Sequence, residues 1–206
     1  MPEPTGGRVA LTEALFRIGA LRFGRFTLSS GKLSSYYLDL RVVPSDPEAY
    51  ALAVGAYQSV AKEIGEGFDV VAGVATAGVT MSSPLAYLLG KPMLYVRREE
   101  KGHGLGKLVE GAVRPKSRAV VVDDLATSGG SILSAVEALR KSGCVVKDAV
   151  VLVDRLEGAK AILARNGVKL WAFADIKELV ETLYDAKKIT KADLQAVLKQ
   201  MEGARA

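Results

Sequence analysis

Two aspartates in a row, Asp123 and Asp124, follow the apolar run Val120-Val121-Val122 and precede Leu125-Ala126-Thr127-Ser128-Gly129-Gly130-Ser131. The run reads as a buried strand, and in an open α/β sheet the carboxyl ends of strands face the ligand cleft. Acids placed there can accept hydrogen bonds from the vicinal hydroxyls of a sugar. The segment Thr127 to Ser131 opens onto a predicted helix, whose first-turn N–H groups have no acceptor within the helix. Hydroxyls, glycine backbone and helix dipole together cradle a phosphate monoester. A phosphorylated ribose matches both halves of the string.

A second glycine-rich turn, Gly73-Val74-Ala75-Thr76-Ala77-Gly78-Val79-Thr80, also follows an apolar run. Its spacing imitates a nucleotide-binding P-loop, but Val79 stands where the phosphate-binding lysine must be, so that reading fails. The backbone N–H groups of this Gly/Ala/Thr turn can still serve a pyrophosphate. The cations such a group needs cluster in Arg97-Arg98-Glu99-Glu100-Lys101-Gly102-His103-Gly104-Leu105-Gly106-Lys107, which breaks the apolar periodicity and reads as a long loop able to close as a lid. Arg97, Arg98, Lys101 and His103, the only histidine, are placed to neutralise a departing pyrophosphate.

The elements that must position these residues follow from pattern. After a flexible start, helical spacing runs from Leu11 to Leu21, with Thr12 a candidate cap. Phe26-Thr27-Leu28 and Tyr36 to Leu40 read as extended pieces flanking a polar turn, a hairpin-like element. Asp46-Pro47 predicts a helix start, and its amphipathic stretch reaches about Ile64. Strands are then expected at Asp69–Val74, Met93–Val96, Ala119–Val122, Val145–Val153 and Leu170–Phe173, alternating with helices near Thr80–Leu89 and Ser131–Ser142. Near-continuous apolar strands separated by helices indicate an α/β fold, a mostly parallel sheet flanked by helices, with a small N-terminal hood. Two further helices, Ile176–Tyr184 and one capped by Thr190 with Asp193, are expected on the outside of the sheet. The chain is read as one domain: a hood over about 1–45, an α/β core over about 46–175 and C-terminal helices over about 176–206.

A length of 206 residues suffices for a two-sided core, and 49% hydrophobic with 25% charged residues excludes the disordered and fibrous classes. The net charge of +5 is spread along the chain rather than gathered in a tail, which favours a small polyanion over nucleic acid. Cys144 is alone, so no internal disulfide forms, and it reads as a small buried hydrophobe. No apolar run approaches the roughly 20 residues of a membrane span, and no leader pattern appears; a cytoplasmic address is expected.

The string from Val120 to Ser131 resembles the phosphoribosyl pyrophosphate (PRPP) signature of the type I phosphoribosyltransferase family. Within it, four blocks narrow the resemblance to the orotate phosphoribosyltransferases and cover most of the chain: Phe23 to Lys32 with Ser35-Tyr36-Tyr37; Ala75-Thr76-Ala77-Gly78; Tyr95 to Gly104; and Asp154-Arg155-Leu156-Glu157-Gly158-Ala159. The chain departs from the pattern at Ser29, where many bacterial members have lysine, and at Arg98, where the family's pair is Arg-Lys. The first removes a cation; the second changes hydrogen-bond geometry.

The resemblance implies transfer of the 5-phosphoribosyl group from PRPP to orotate, giving orotidine 5′-monophosphate and pyrophosphate. By it, Asp123 and Asp124 hold the ribose hydroxyls, Ala126, Thr127, Ser128, Gly129, Gly130 and Ser131 hold the 5-phosphate, and Leu125 between them belongs to the PRPP-binding string. Thr76, Ala77, Arg97 and Arg98 bind the remainder of PRPP, and Lys101 and His103 are catalytic. Orotate falls to Tyr36, Tyr37, Thr127 and Arg155. Mg²⁺ rides on the pyrophosphate and ribose oxygens, Asp123 and Asp124 reaching it at most through water, and a homodimer with the lid shared between subunits is implied. The rivals are a phosphoribosyltransferase for another base and a PRPP- or nucleotide-sensing regulator that binds nucleic acid without turnover.

Overall fold

The apolar runs form a six-stranded sheet. In the computed structural model, which describes residues 4–27, 31, 33–98 and 108–203, the chain runs α1 (Pro4–Arg17), β1 (Leu21–Thr27), β2 (Leu33–Leu38), α2 (Pro47–Ile64), β3 (Val70–Val74), α3 (Ala77–Leu89), β4 (Met93–Val96), β5 (Val109–Glu110), β6 (Arg118–Ala126), α4 (Gly130–Lys141), β7 (Val145–Asp154), α5 (Ala159–Arg165), β8 (Lys169–Asp175), α6 (Ile176–Asp185) and α7 (Lys191–Gly203). The large sheet has the order β5-β4-β3-β6-β7-β8, and β1 and β2 form a separate two-stranded sheet. All neighbours in the large sheet are parallel except β4 and β5. Strand β3 is buried at every position and β6 from Ala119 to Asp123, as a sheet covered on both faces requires.

Asp46 caps α2, its side chain accepting from the Ala49 N–H at 2.9 Å with Pro47 behind it, and α2 ends at Ile64. The first helix departs from expectation. It starts at Pro4, and Leu21 already belongs to β1. Thr12 is not a cap: it lies in mid-helix, fully buried, with its hydroxyl donating to the Arg8 carbonyl at 2.8 Å. Strand β1 is longer than its expected piece because a register shift between Phe23 and Phe26 lets Gly24, at φ 143°, interrupt it without ending it. The extended piece expected to reach Leu40 ends at Leu38, and Leu40 to Ser45 is a 3-10 turn capped by the Asp39 carboxylate on the Arg41 N–H.

Strand β6 runs through both aspartates to Ala126, four residues past its expected end, because β7 continues beside it, pairing Asp123 with Val151 and Ala126 with Asp154. Helix α3 starts at Ala77, three residues early. Helix α5 and the short β5 carried too little apolar periodicity to be read from pattern. The capping box on α7 is present, the Asp193 N–H donating to Thr190 Oγ1 at 3.2 Å and the Thr190 N–H to Asp193 Oδ2 at 3.0 Å. Helix α7 does not lie on the outside of the main sheet, however; it packs on α6 and on β2.

Helix α3 begins directly over the end of β6. A Cβ on Gly78 would collide with the Val122 carbonyl oxygen and sit 3.0 Å from Asp123 Cα, both backbone neighbours that cannot swing away. On the other side, the Tyr57 hydroxyl of α2, itself fully buried, donates to the Asp123 carbonyl at 2.7 Å. The backbone at Asp123 is thereby clamped between two helices. Gly78→Ala is expected to cost about 1–3 kcal/mol through overpacking, lowering the thermal unfolding midpoint by roughly 3–10 °C; a midpoint unchanged in differential scanning calorimetry would show that α3 can move off β6.

Candidate active site

The carboxyl ends of β3, β6 and β7 bring the chemistry-bearing residues together. Asp123 is 7% exposed and Asp124 is partly buried. Asp123 Oδ1 accepts from the Asp124 N–H at 3.0 Å and Oδ2 from the Ser131 hydroxyl at 3.3 Å, while Asp124 Oδ1 accepts from the Leu125 N–H at 2.9 Å. Ser131 thus links the start of α4 to the acid pair. Burial pushes both carboxyls upward; at Asp123 the neighbouring Asp124 charge adds to it, and at Asp124 the Arg41 charge opposes it. The pair therefore keeps a proton well above the ordinary carboxylate range.

Beyond the acids the chain turns sharply into α4. Gly129 adopts φ 85°, and a Cβ there would lie 3.1 Å from Ala159 Cα. No side chain caps α4 at Gly129, so its first turn presents backbone N–H groups beside Thr127 and Ser128. The loop is fixed from behind by two main-chain bonds: the Arg155 N–H to the Ala126 carbonyl at 2.9 Å and the Ala159 N–H to the Thr127 carbonyl at 3.1 Å. Helix α5, absent from the pattern-based expectation, backs this cradle.

The Ala75-Thr76 turn lies at the end of β3, and its Ala75–Thr76 peptide is cis. Arg98 Nε donates to the Ala75 carbonyl at 3.0 Å, which brings one of the expected cations to this turn. Arg97 turns aside: its Nη1 meets Glu110 of β5 at 3.4 Å, and its N–H donates to the Leu108 carbonyl at 2.9 Å. Lys101 and His103, like Ser29, lie outside the described residues.

Arg155, 8% exposed, follows the end of β7. Its turn is shaped by the Asp154 carboxylate, which accepts from the Leu156 N–H at 2.8 Å and is itself pushed upward by burial. Arg155 Nε donates to the Tyr36 hydroxyl at 3.0 Å, and the guanidinium carbon stands 4.9 Å from the centre of the Tyr36 ring. Glu157 Oε1 is 2.9 Å from Nη2, an ion pair by distance, but the N–H does not point at it; Nη2 is a buried donor without a hydrogen-bonded acceptor. The strand alternation separates the two tyrosines. Tyr36 is 1% exposed and faces Arg155, whereas Tyr37 is on the opposite face, its ring 5.6 Å from Phe26 with Arg22 at 5.1 Å.

Sequence reasoning did not single out Tyr57, the Asp39–Arg41 pair or Gln200. Asp39 grips Arg41 through two side-chain hydrogen bonds of 2.7 and 2.8 Å. The Asp39-Leu40-Arg41 tripeptide, one residue past the tyrosines, was the available signal for that pair; the contact of Tyr57 is to backbone and leaves no trace in composition.

Residues 46–179 match the family model for the phosphoribosyl transferase domain. The chain is 43% identical to an orotate phosphoribosyltransferase from Cenarchaeum symbiosum, over 90% of this chain and 92% of that one. It belongs to the orotate phosphoribosyltransferase family. The crystal structure of the Aeropyrum pernix orotate phosphoribosyltransferase superposes with a TM-score of 0.77 at 45% identity, covering 84% of this chain and 98% of that one. The Mycobacterium tuberculosis orotate phosphoribosyltransferase in complex with PRPP gives a TM-score of 0.69 at 27% identity, covering 84% and 98%. The family match begins at Asp46, the residue that caps α2, and so covers the acid pair, the loop after it and Arg155, while the hood and α7 lie outside it.

The raised carboxyls carry a sign. A carboxyl whose folded pKa lies above its unfolded value costs stability as pH rises from the unfolded pKa through the folded one. Asp123→Asn removes that cost, so the variant is expected to unfold a few degrees above the native chain at pH 9, with a smaller difference at pH 5, where the native pair still holds its proton. Thermal denaturation without substrate at the two pH values checks it; an equal difference at both would mean that the pair titrates normally.

Proposed function

We propose that the chain transfers the 5-phosphoribosyl group from PRPP to a ring nitrogen of orotate, releasing pyrophosphate and orotidine 5′-monophosphate. The observation that carries this reading is the pairing of two sites across the β6–β7 boundary. One side holds a buried acid pair running into a helix-start cradle; the other holds a buried guanidinium with an unused N–H. The first fits a ribose 5-phosphate. The second fits a planar anionic heterocycle, whose carboxylate supplies the acceptor that Arg155 Nη2 lacks.

In this reading Asp123 and Asp124 accept from the ribose 2- and 3-hydroxyls, holding C1 toward the acceptor. Thr127, Ser128 and the first turn of α4 hold the 5-phosphate. Thr76 and Ala77 present backbone N–H groups to the pyrophosphate, with Arg98 beside them, and Thr127 and Arg155 orient orotate. The C1–O bond to pyrophosphate breaks as the C1–N bond forms, with inversion at C1 and loss of the ring N–H proton. Lys101 and His103 stabilise or protonate the departing pyrophosphate. Tyr36 serves orotate through Arg155, and Tyr37 faces Phe26 and Arg22.

A divalent cation fits this site as a passenger on the substrate. Among the described residues no cluster of three or more histidine, cysteine, aspartate or glutamate side chains could cage one, and three of the four oxygens of the acid pair already accept hydrogen bonds. Mg²⁺ held by PRPP oxygens would supply charge neutralisation at the pyrophosphate. We place the reaction in the cytoplasm, consistent with one buried free cysteine and with no described helix long and apolar enough to cross a membrane. The working unit in this proposal is a homodimer in which the 99–107 segment serves the neighbouring site.

Protein incubated with PRPP, Mg²⁺ and orotate should consume orotate absorbance in step with pyrophosphate release. Turnover with adenine, hypoxanthine or uracil but not orotate would sink the proposal. Lys101→Ala is expected to lower kcat by ~100-fold or more while the PRPP KM changes little; equal losses in both would mean that this segment only binds.

A further inference from the structure

The hood hairpin has a weak claim on its own position. Strands β1 and β2 bond to each other and to no strand of the large sheet, and an isolated two-stranded ribbon is marginal in water. What holds β2 over the site comes largely from side chains: Leu21, Leu38 and Phe23 anchor the hairpin in the core, and Tyr36 reaches Arg155. A further support is α7, whose stripe of Leu194, Val197, Leu198 and Met201 packs into the core and leaves Gln200 beside β2.

Gln200 uses its whole amide there. Its Oε1 accepts from the Ser35 N–H at 2.7 Å and from the Ser35 hydroxyl at 2.8 Å, and its Nε2 donates to the Ser34 hydroxyl at 3.1 Å. The Ser35 N–H can only donate, so it fixes which end of the amide faces it. Ser34, 4% exposed, spends its single proton on the Tyr36 carbonyl at 2.7 Å, leaving its oxygen to accept from Gln200. Hydrogen bonds therefore tie α7 to Ser34 and Ser34 to the Tyr36 main chain, and the side chain which that main chain carries meets the Arg155 guanidinium through its hydroxyl. None of these side-chain bonds reaches the acid pair or the phosphate cradle, which Arg155 meets only through its main-chain N–H on the Ala126 carbonyl.

We propose that Gln200 is a positioning residue for the acceptor site: from the last helix, without contacting substrate, it fixes β2 so that Tyr36 holds Arg155 ready for the acceptor's carboxylate. The inference rests on the reading that orotate is the acceptor. It separates the two substrates, because the contacts from Gln200 end on the Arg155 side chain, whereas Arg155 is joined to the PRPP side by its main chain alone.

Steady-state kinetics on the full chain test it. Gln200→Leu, which keeps the volume and removes three hydrogen bonds, is expected to raise the orotate KM about five- to tenfold, with the PRPP KM within twofold of native. Gln200→Glu retains both acceptors for Ser35 and should restore most of the orotate affinity. Tyr36→Phe should give a similar selective rise, and the double variant Gln200→Leu/Tyr36→Phe should fall well short of the product of the two. Ser35→Ala, the milder change should Gln200→Leu fail to fold, is expected to raise the orotate KM alone by about two- to threefold. Equal rises in both KM values, or a lowered unfolding midpoint with native KM values, overturns the inference. A native chain that releases no pyrophosphate with orotate overturns the acceptor reading and this inference with it; active native protein with Gln200→Leu unchanged overturns this inference alone.

Discussion

Two adjacent carboxylates held out of water at the end of a central strand are the constraint on which the rest of the structure turns. Removing them from solvent is unfavourable, and both are driven toward their protonated forms. The fold nevertheless surrounds them with fixed partners: the Tyr57 hydroxyl on the main chain, the Ser131 hydroxyl on one oxygen, and a helix start pressed so close that only glycine fits at position 78. The acids sit where both neighbours of β6 are parallel strands, so the backbone that carries them is held from both sides. A polyol that donates hydrogen bonds, and a cation that neutralises charge, would relieve an arrangement the protein alone keeps unfavourable.

From that fixed point the site is assembled by main-chain bonds rather than by salt bridges. Arg155 is tied by its own N–H to the end of β6, and α5 by its first N–H to Thr127. The helix-start loop and the Arg155 guanidinium therefore share one piece of backbone. Ion pairs elsewhere, such as Arg17 with Asp46 and Arg118 with Asp69, are exposed and contribute little by comparison.

Legibility in the sequence divided along physical lines. Features written as local chemistry were readable: the apolar strands, the Asp46-Pro47 start of α2, the Thr190–Asp193 box, and the string from Val120 to Ser131. Where tertiary pairing decides, the pattern fell short. β6 outruns its apolar segment because β7 continues beside it, and α1 reaches back to Pro4 although its first turn carries glycines at positions 6 and 7. Within the site the residue types were legible but their directions were not. Tyr36 and Tyr37 looked equivalent as neighbours, yet strand alternation gives one to Arg155 and the other to Phe26 and Arg22. Gln200 carried no signal, since a glutamine near the chain's end gains meaning only from the strand it meets 165 residues away.

The opposed tyrosines also set a rule for how this lineage can change length. In β2, odd and even positions face different neighbours, so inserting or deleting a single residue between Ser34 and Tyr36 would exchange the occupants of the two faces and strip Arg155 of its partner. In β1 an odd residue has already been absorbed, at the irregularity between Phe23 and Phe26, without disturbing the pairing of Phe23 with Tyr36. Descendants of this chain can therefore gain or lose residues singly on one side of the hairpin, but on the other only in twos.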